Sequence, residues 1–240
     1  MRARVERWAA WAPGLESAED WAAWARHPVP LEPKGHPEAR FLPAMLRRRC
    51  SPLSRTLLTV AFGACPEDLQ GEVRTVFASR HGSVQESIVL VEALVQREKI
   101  SAAKFSHTVH NAQASLFSIA ATNPSASSSL AAQGDTFSAG YLEALCHLER
   151  DPLRPVLLVV GDMELPEQFQ HLVSEPAGVY GLALLLVATE ESPYLELDVT
   201  PGPPEPLAWP DACEFLRFLL TDAPELTLGI EGRRWHWTRG

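Results

Sequence analysis

The sequence has no CxxC or CxH pair, no glycine-rich phosphate loop, no HExxH and no GxSxG. Zinc-ribbon, P-loop, dinucleotide-binding, zincin and α/β-hydrolase readings fall away with them. Cysteine is scarce and scattered, at Cys50, Cys65, Cys146 and Cys213, and Met1–Arg26 lacks the basic start and apolar run of a signal peptide. Reduced thiols in a cytoplasmic protein are therefore expected. The longest apolar run, Gly181–Ala188, is far too short for a membrane span. Positive charge is in deficit: 21 Lys+Arg against 30 Asp+Glu leave a formal charge of −9. Nucleic-acid binding through a diffuse basic face is excluded on that balance, and Arg47-Arg48-Arg49 reads as the solvated side of a helix.

What is present suits a single globular domain, 1–240. The chain is 46% hydrophobic, which excludes intrinsic disorder. Surface scaling gives a compact monomer of this mass roughly 10,600 Å² of accessible area, about 70% less than the unfolded chain. Strands are expected at Ala3–Trp11, Val73–Ser79, Ser125–Ala132, Pro155–Gly161, Val179–Thr189 and Leu195–Val199. Helices are expected at Ser17–Arg26, with Ser17 as N-cap, and at Ser54–Cys65, Ser83–Gln96, Ala114–Thr122 and Thr136–Glu149. Trp8, Trp11, Trp21 and Trp24 recur at a spacing of three in places and read as a packing stripe. The proline-dense stretch 27–43 is an irregular connector, and residues 200–210 a stiff one. Beyond it Asp211 caps a short C-terminal helix ending near Leu220, and Leu226–Glu231 with Arg233–Thr238 form a β-hairpin. Alternation of strands and helices through the middle indicates an α/β fold.

The stretch Ser127-Ser128-Ser129-Leu130-Ala131-Ala132-Gln133-Gly134-Asp135-Thr136-Phe137 carries the most information. A strand of small residues, a tight turn and an immediate helix make an elbow that projects one side chain toward helix-start N–H groups. The turn holds Gln133, a carboxamide that cannot form an acyl ester. By itself the segment also reads as a plain turn, with Asp135 capping the helix. His107 and His110 lie three apart with no third ligand in sequence, so no metal is expected. Asp162, Glu164 and Glu167 read as the solvated face of a loop.

Phe105-Ser106-His107-Thr108-Val109-His110-Asn111-Ala112-Gln113-Ala114-Ser115-Leu116-Phe117-Ser118-Ile119-Ala120 resembles the Asn-x-Ala-Ala-Gly-x-x-Ser-Ile segment ahead of the elbow of β-ketoacyl-acyl-carrier-protein synthases, with Asn111, Ala114, Ser118 and Ile119 matching. Phe77–Gly82 and Gly134–Gly140 are similar to the short ketosynthase-like subunits encoded with aryl polyene pigment enzymes. The resemblance covers roughly residues 50–190. Ser115 stands where that family has glycine, and Gln133, or its neighbour Gly134, stands where it has the nucleophilic cysteine. A Gln there resembles the chain-length factors of type II polyketide systems. The chain also resembles only one of the two thiolase-type halves of a full ketosynthase.

The resemblance implies a thiolase-like N-terminal half: a five-stranded mixed sheet with helices on both faces and its last long strand, Val179–Thr189, antiparallel. It implies no catalytic residue and no cofactor. It implies a heterodimer with a full-length β-ketoacyl synthase, which would itself receive the acyl carrier protein. Phe105, Asn111, Phe117, Ser129, Leu130, Gln133 and Phe137 are the candidates for the interface and the far end of the acyl tunnel. Two rival readings remain open: an acyl hydrolase using a serine of 125–129 with His107 or His110, and a purely structural subunit.

Overall fold

In the computed structural model, which describes residues 1–173, 176, 178–230 and 232–240, serine caps set the starts of three helices. Helix α1 (Ala18–Arg26) starts at Ser17, whose hydroxyl accepts from the Asp20 N–H while the Asp20 carboxylate accepts from the Ser17 N–H, a reciprocal capping box. Strand β1 (Arg2–Trp11) precedes it, and the one-turn α2 (Ala44–Arg47) and α3 (Pro52–Ala64) follow, α3 with Ser51 as N-cap and proline in its first turn. Next come β2 (Arg74–Ala78), α4 (Val84–Val95), the one-turn α5 (Ala102–Phe105) and α6 (Ala112–Ala121). After β3 (Ser127–Leu130), a 3-10 turn at Gln133–Asp135 leads into α7 (Thr136–Arg150). The chain continues through β4 (Val156–Asp162), the one-turn α8 (Glu167–Gln170), β5 (Tyr180–Val187) and β6 (Leu195–Pro201). It ends with α9 (Asp211–Leu219), β7 (Glu225–Ile230) and β8 (Arg233–Arg239). The predicted hairpin is there, although Glu231 at its end lies outside the described residues.

The sheet is larger than expected. Its order is β3-β2-β4-β5-β1-β6-β8-β7, eight strands where five were predicted. The first five are the anticipated mixed unit: β3, β2 and β4 run parallel, and β5 is antiparallel to both β4 and β1. The C-terminal strands were expected as an addition to this unit, yet β6 pairs with the start of β1 at Arg2 and Ala3, which makes the two sets continuous. β1 does this because it is ten residues long and outruns β5.

Helices cover both faces and define two cores. One, under α7, α9 and α1, holds Trp21, Trp24, Phe137, Tyr141, Phe215 and Trp237. The other, under α3 and α6, holds Trp11, Leu57, Leu58, Phe77 and Phe117. The tryptophans pack as expected but not as one stripe: Trp8 and Trp11 lie on β1, an odd number apart, and so enter opposite cores. α7 lies close on the sheet because Gly140 faces it, where a Cβ would come within 3.1 Å of Leu158 and 3.2 Å of Ala78. Its C-terminal end is tied down by Arg74, nearly buried on β2, whose guanidinium donates to the carbonyls of His147 (2.6 Å), Asp151 (2.8 Å) and Arg154.

Candidate functional site

β3 forms one edge of the sheet and feeds the elbow directly. Gln133 stands there at φ +51°, left-handed backbone that costs a non-glycine residue of order 1–3 kcal/mol and persists only where its surroundings hold it. This singles out Gln133, not Gly134, as the residue projected by the turn, and its side chain is exposed. The turn is clasped by Thr136, whose hydroxyl donates to the Gln133 carbonyl (2.7 Å) and accepts from the Ala132 N–H (3.0 Å).

Asp135 does occupy the N-cap position of α7, but its side chain does not cap. It is fully buried and bonds the C-terminal hairpin instead, through Arg233 (2.8 Å) and the Trp235 indole N–H (2.9 Å). The orphan N–H of Phe137 is taken by Asp211 (3.1 Å), from an element 74 residues away. Asp211 was expected to cap α9, but Pro210 holds that N-cap and Asp211 is the first helical residue, its other carboxylate oxygen accepting from the Ala212 N–H (2.8 Å). Burial pushes the Asp211 carboxyl up to about 7, against the two N–H groups it accepts and with the charges of Asp162 and Asp135 adding to the rise.

Asp162 also departs from expectation. It is buried, not solvated, because the loop after β2 closes around it: the Ser79 hydroxyl (2.8 Å) and the N–H groups of Arg80 (3.1 Å) and His81 (2.9 Å) all donate to its carboxylate. Ser79 in turn accepts from the Gly82 N–H (2.9 Å). The Ser79-Arg80-His81-Gly82 motif is thus a loop wound on a buried acid, whose pKa burial raises. Tyr180, on β5, is pushed up further by burial and by the charges of Asp211 and Asp162.

These groups surround a cavity of about 700 Å³. Gln133, Gly134 and Thr136 enter it from the elbow, Arg80, His81 and Asp162 from the β2 and β4 ends, and Tyr180 and Asp211 from below. Met163–Leu165, Gln170 and Val173 after β4 line another side, and Pro204–Leu207 with Gly229–Ile230 a third. The proline-rich segment is therefore more than a connector, and Glu205 N–H bonds the Gly229 carbonyl at 2.7 Å to hold it along β7. The volume is in the range of small-molecule pockets. Among the described residues no three His, Cys, Asp or Glu gather as a metal site, and no helix is long and apolar enough to cross a membrane.

The predicted tunnel and interface residues do not converge. Phe117 and Phe137 are fully buried in opposite cores, the first against Phe62 and Phe77, the second against Tyr141, Phe215 and Trp237. Phe105 is 58% exposed at the end of α5. Asn111 is exposed at the start of α6 and makes no capping bond, and Ser115 points outward from the same helix. Ser129 and Leu130 are half-buried on β3, whose outer edge meets no other strand among the described residues. The histidines of the hydrolase reading do not reach the serines. His147 does: its Nε2 lies 3.2 Å from Ser128 Oγ, and Ser128 donates to Glu143 (2.8 Å). Glu143 sits 3.3 Å from that same Nε2, whereas a catalytic triad needs the acid on the other ring nitrogen.

The sequence profile of the β-ketoacyl synthase N-terminal domain matches residues 21–238. The chain belongs to that family. The match extends well beyond residues 50–190 and takes in the C-terminal strands. No curated protein matches the sequence. Among solved structures, one of a ketosynthase (ApeO) in complex with its chain length factor (ApeC) from Xenorhabdus doucetiae superposes with a TM-score of 0.84 at 27% identity, over 100% of both chains. The ishigamide ketosynthase/chain length factor gives 0.64 at 14% identity, covering 84% of this chain and 68% of that one. A β-ketoacyl synthase from Burkholderia phymatum gives 0.60 at 14%, covering 83% and 64%. The fold is thus the thiolase-like fold of ketosynthases. In this chain the turn between β3 and α7 carries a carboxamide, and Gly229 and Ile230 of β7 line the cavity it borders.

Proposed function

We propose that this chain is a catalytically silent ketosynthase-like subunit, a chain-length factor, that pairs with an active β-ketoacyl synthase in polyene or fatty-acid-like chain elongation in the cytoplasm. The observation that carries the reading is Gln133 on the left-handed turn between β3 and α7. A decarboxylative condensation needs a nucleophile that can hold an acyl group, and an amide at that position holds none. The likeness to structures of ketosynthases with chain length factors supports the pairing.

The surface supports it too. Val91, Leu94 and Val95, which share one side of α4, are exposed, as are Val89, Phe105 of α5 and Ile119 of α6. Exposed apolar side chains of this kind suit an interaction site. Phe105 and the open edge of β3 fit a contact with the partner. Phe117 and Phe137 would act on tunnel shape only through the helices they anchor. The chain's net charge of −9 leaves docking of an acidic carrier protein to the partner.

The test is co-expression with a full-length β-ketoacyl synthase from the same organism. Co-purification and a product-length distribution that changes when Phe105 or Gln133 is replaced by Ala are expected. Failure to co-purify removes the pairing. Unchanged product lengths leave a structural subunit. Acylation of the isolated chain, or serine labelling by an activated probe, overturns catalytic silence.

A further inference from the structure

β8 turns every second residue toward α7 and α9: Arg233, Trp235, Trp237 and Arg239. Arg233 reaches Asp135 Oδ2 with both Nε and Nη2 at 2.8 Å, and Trp235 reaches the other carboxylate oxygen at 2.9 Å. One register step on, the Trp237 ring lies 6.1 Å from Phe137 and 5.8 Å from Tyr141. A single strand face therefore meets the first turns of α7 in order. Asp135 is fully buried, so its carboxylate depends on these donors. Its own N–H closes the Gln133 turn onto the Ala132 carbonyl at 2.9 Å. The Thr136 clasp is internal to the turn and sets its shape, whereas Asp135 ties that shape to a distant strand and sets its place.

We infer that Arg233 and Trp235 of β8 are positioning residues that fix where Gln133 projects, so that the C-terminal hairpin belongs to the site. The inference holds whatever Gln133 meets, and goes beyond the proposed pairing.

A thiol at the turn reports on it. Cys50, Cys65 and Cys213 are buried and Cys146 is exposed, so Gln133→Cys with Cys146→Ser leaves one accessible sulfur. Adding Trp235→Phe keeps an aromatic side chain and removes the indole N–H with its hydrogen bond to Asp135. Its alkylation rate by iodoacetamide should rise about tenfold, the equivalent of one hydrogen bond to a charged group. Arg233→Ala should raise it at least as much, while His236→Ala, on the opposite face of β8, should leave it unchanged. Thermal melts establish that each variant is folded, and if Arg233→Ala does not fold, Trp235→Phe decides. A folded Trp235→Phe with an unchanged rate, or a His236→Ala effect of the same size, overturns the inference. In the complex with the ketosynthase, Trp235→Phe should retain co-purification and broaden the product lengths. If the unaltered chain fails to co-purify, the proposed pairing falls while the alkylation experiment still decides this point.

Discussion

Helices α4 and α7 are both rich in apolar residues, yet their fates differ. α7 buries Phe137, Tyr141, Ala144, Leu145 and Leu148, while α4 buries only Leu90. The difference lies in what stands opposite. α7 is met by α9 and by the inward face of β8, all from the same chain. α4 contacts little besides α5, and Val89, Val91, Leu94 and Val95 stay exposed. Apolar composition makes a helix capable of burial, but a facing surface has to supply it. One helix has its partner in cis, and on the proposed reading the other awaits one in trans.

The sharpest way to break the comparison is to empty the covered side. Phe137→Ala should cost 3–5 kcal/mol, of order the Phe→Ala values in packed cores, read by chemical denaturation. Asp211 comes next. Its pKa of about 7 in the folded chain lies above its ordinary value of 3.8, so the folded state holds a proton that the unfolded state has released. Stability is then fully present below about pH 4 and falls as pH rises through 7, by up to about 4 kcal/mol from this group. Denaturation between pH 4.5 and 8 should show this slope, and Asp211→Asn should flatten it. Arg74→Ala removes three hydrogen bonds at the far end of α7 and should cost about 2–3 kcal/mol by the same measurement. Ser17→Ala, away from both helices, should cost about 1 kcal/mol as a lost N-cap. On α4 the effect on the isolated chain should be smallest. Leu94→Ser with Val95→Ser is expected within about 0.5 kcal/mol of the parent, yet should abolish co-purification with the ketosynthase. If the pair destabilises the chain as Phe137→Ala does, the contrast between the helices is wrong.

The elbow shows how far sequence reasoning reached. Small residues, a turn and a helix start are contiguous, so the strand, turn and helix of Ser127–Phe137 were legible, and the left-handed residue of the turn is Gln133. What holds the elbow was not legible. Asp162 looked like one of several loop acids because the donors that bury it come from residues 79–81. Asp211 looked like a cap for its own helix because nothing nearby in sequence announces the Phe137 N–H. His147, not His107 or His110, meets Ser128 because α7 packs beside β3, and sequence distance carries no trace of that contact.

By itself the sequence determined the quantities that depend on a few neighbouring residues: the Ser17 cap, strand alternation, and the strand, turn and helix start around Gln133 and Gly134. These follow from backbone sterics and local periodicity, which act over one or two turns. Only the tertiary structure decided the eight-strand order, the two cores that separate Trp8 from Trp11 and Phe117 from Phe137, and the docking of β8 on α7. Each of these is a choice among distant surfaces of similar apolar character, settled by which whole arrangement buries them together and satisfies the polar groups caught between.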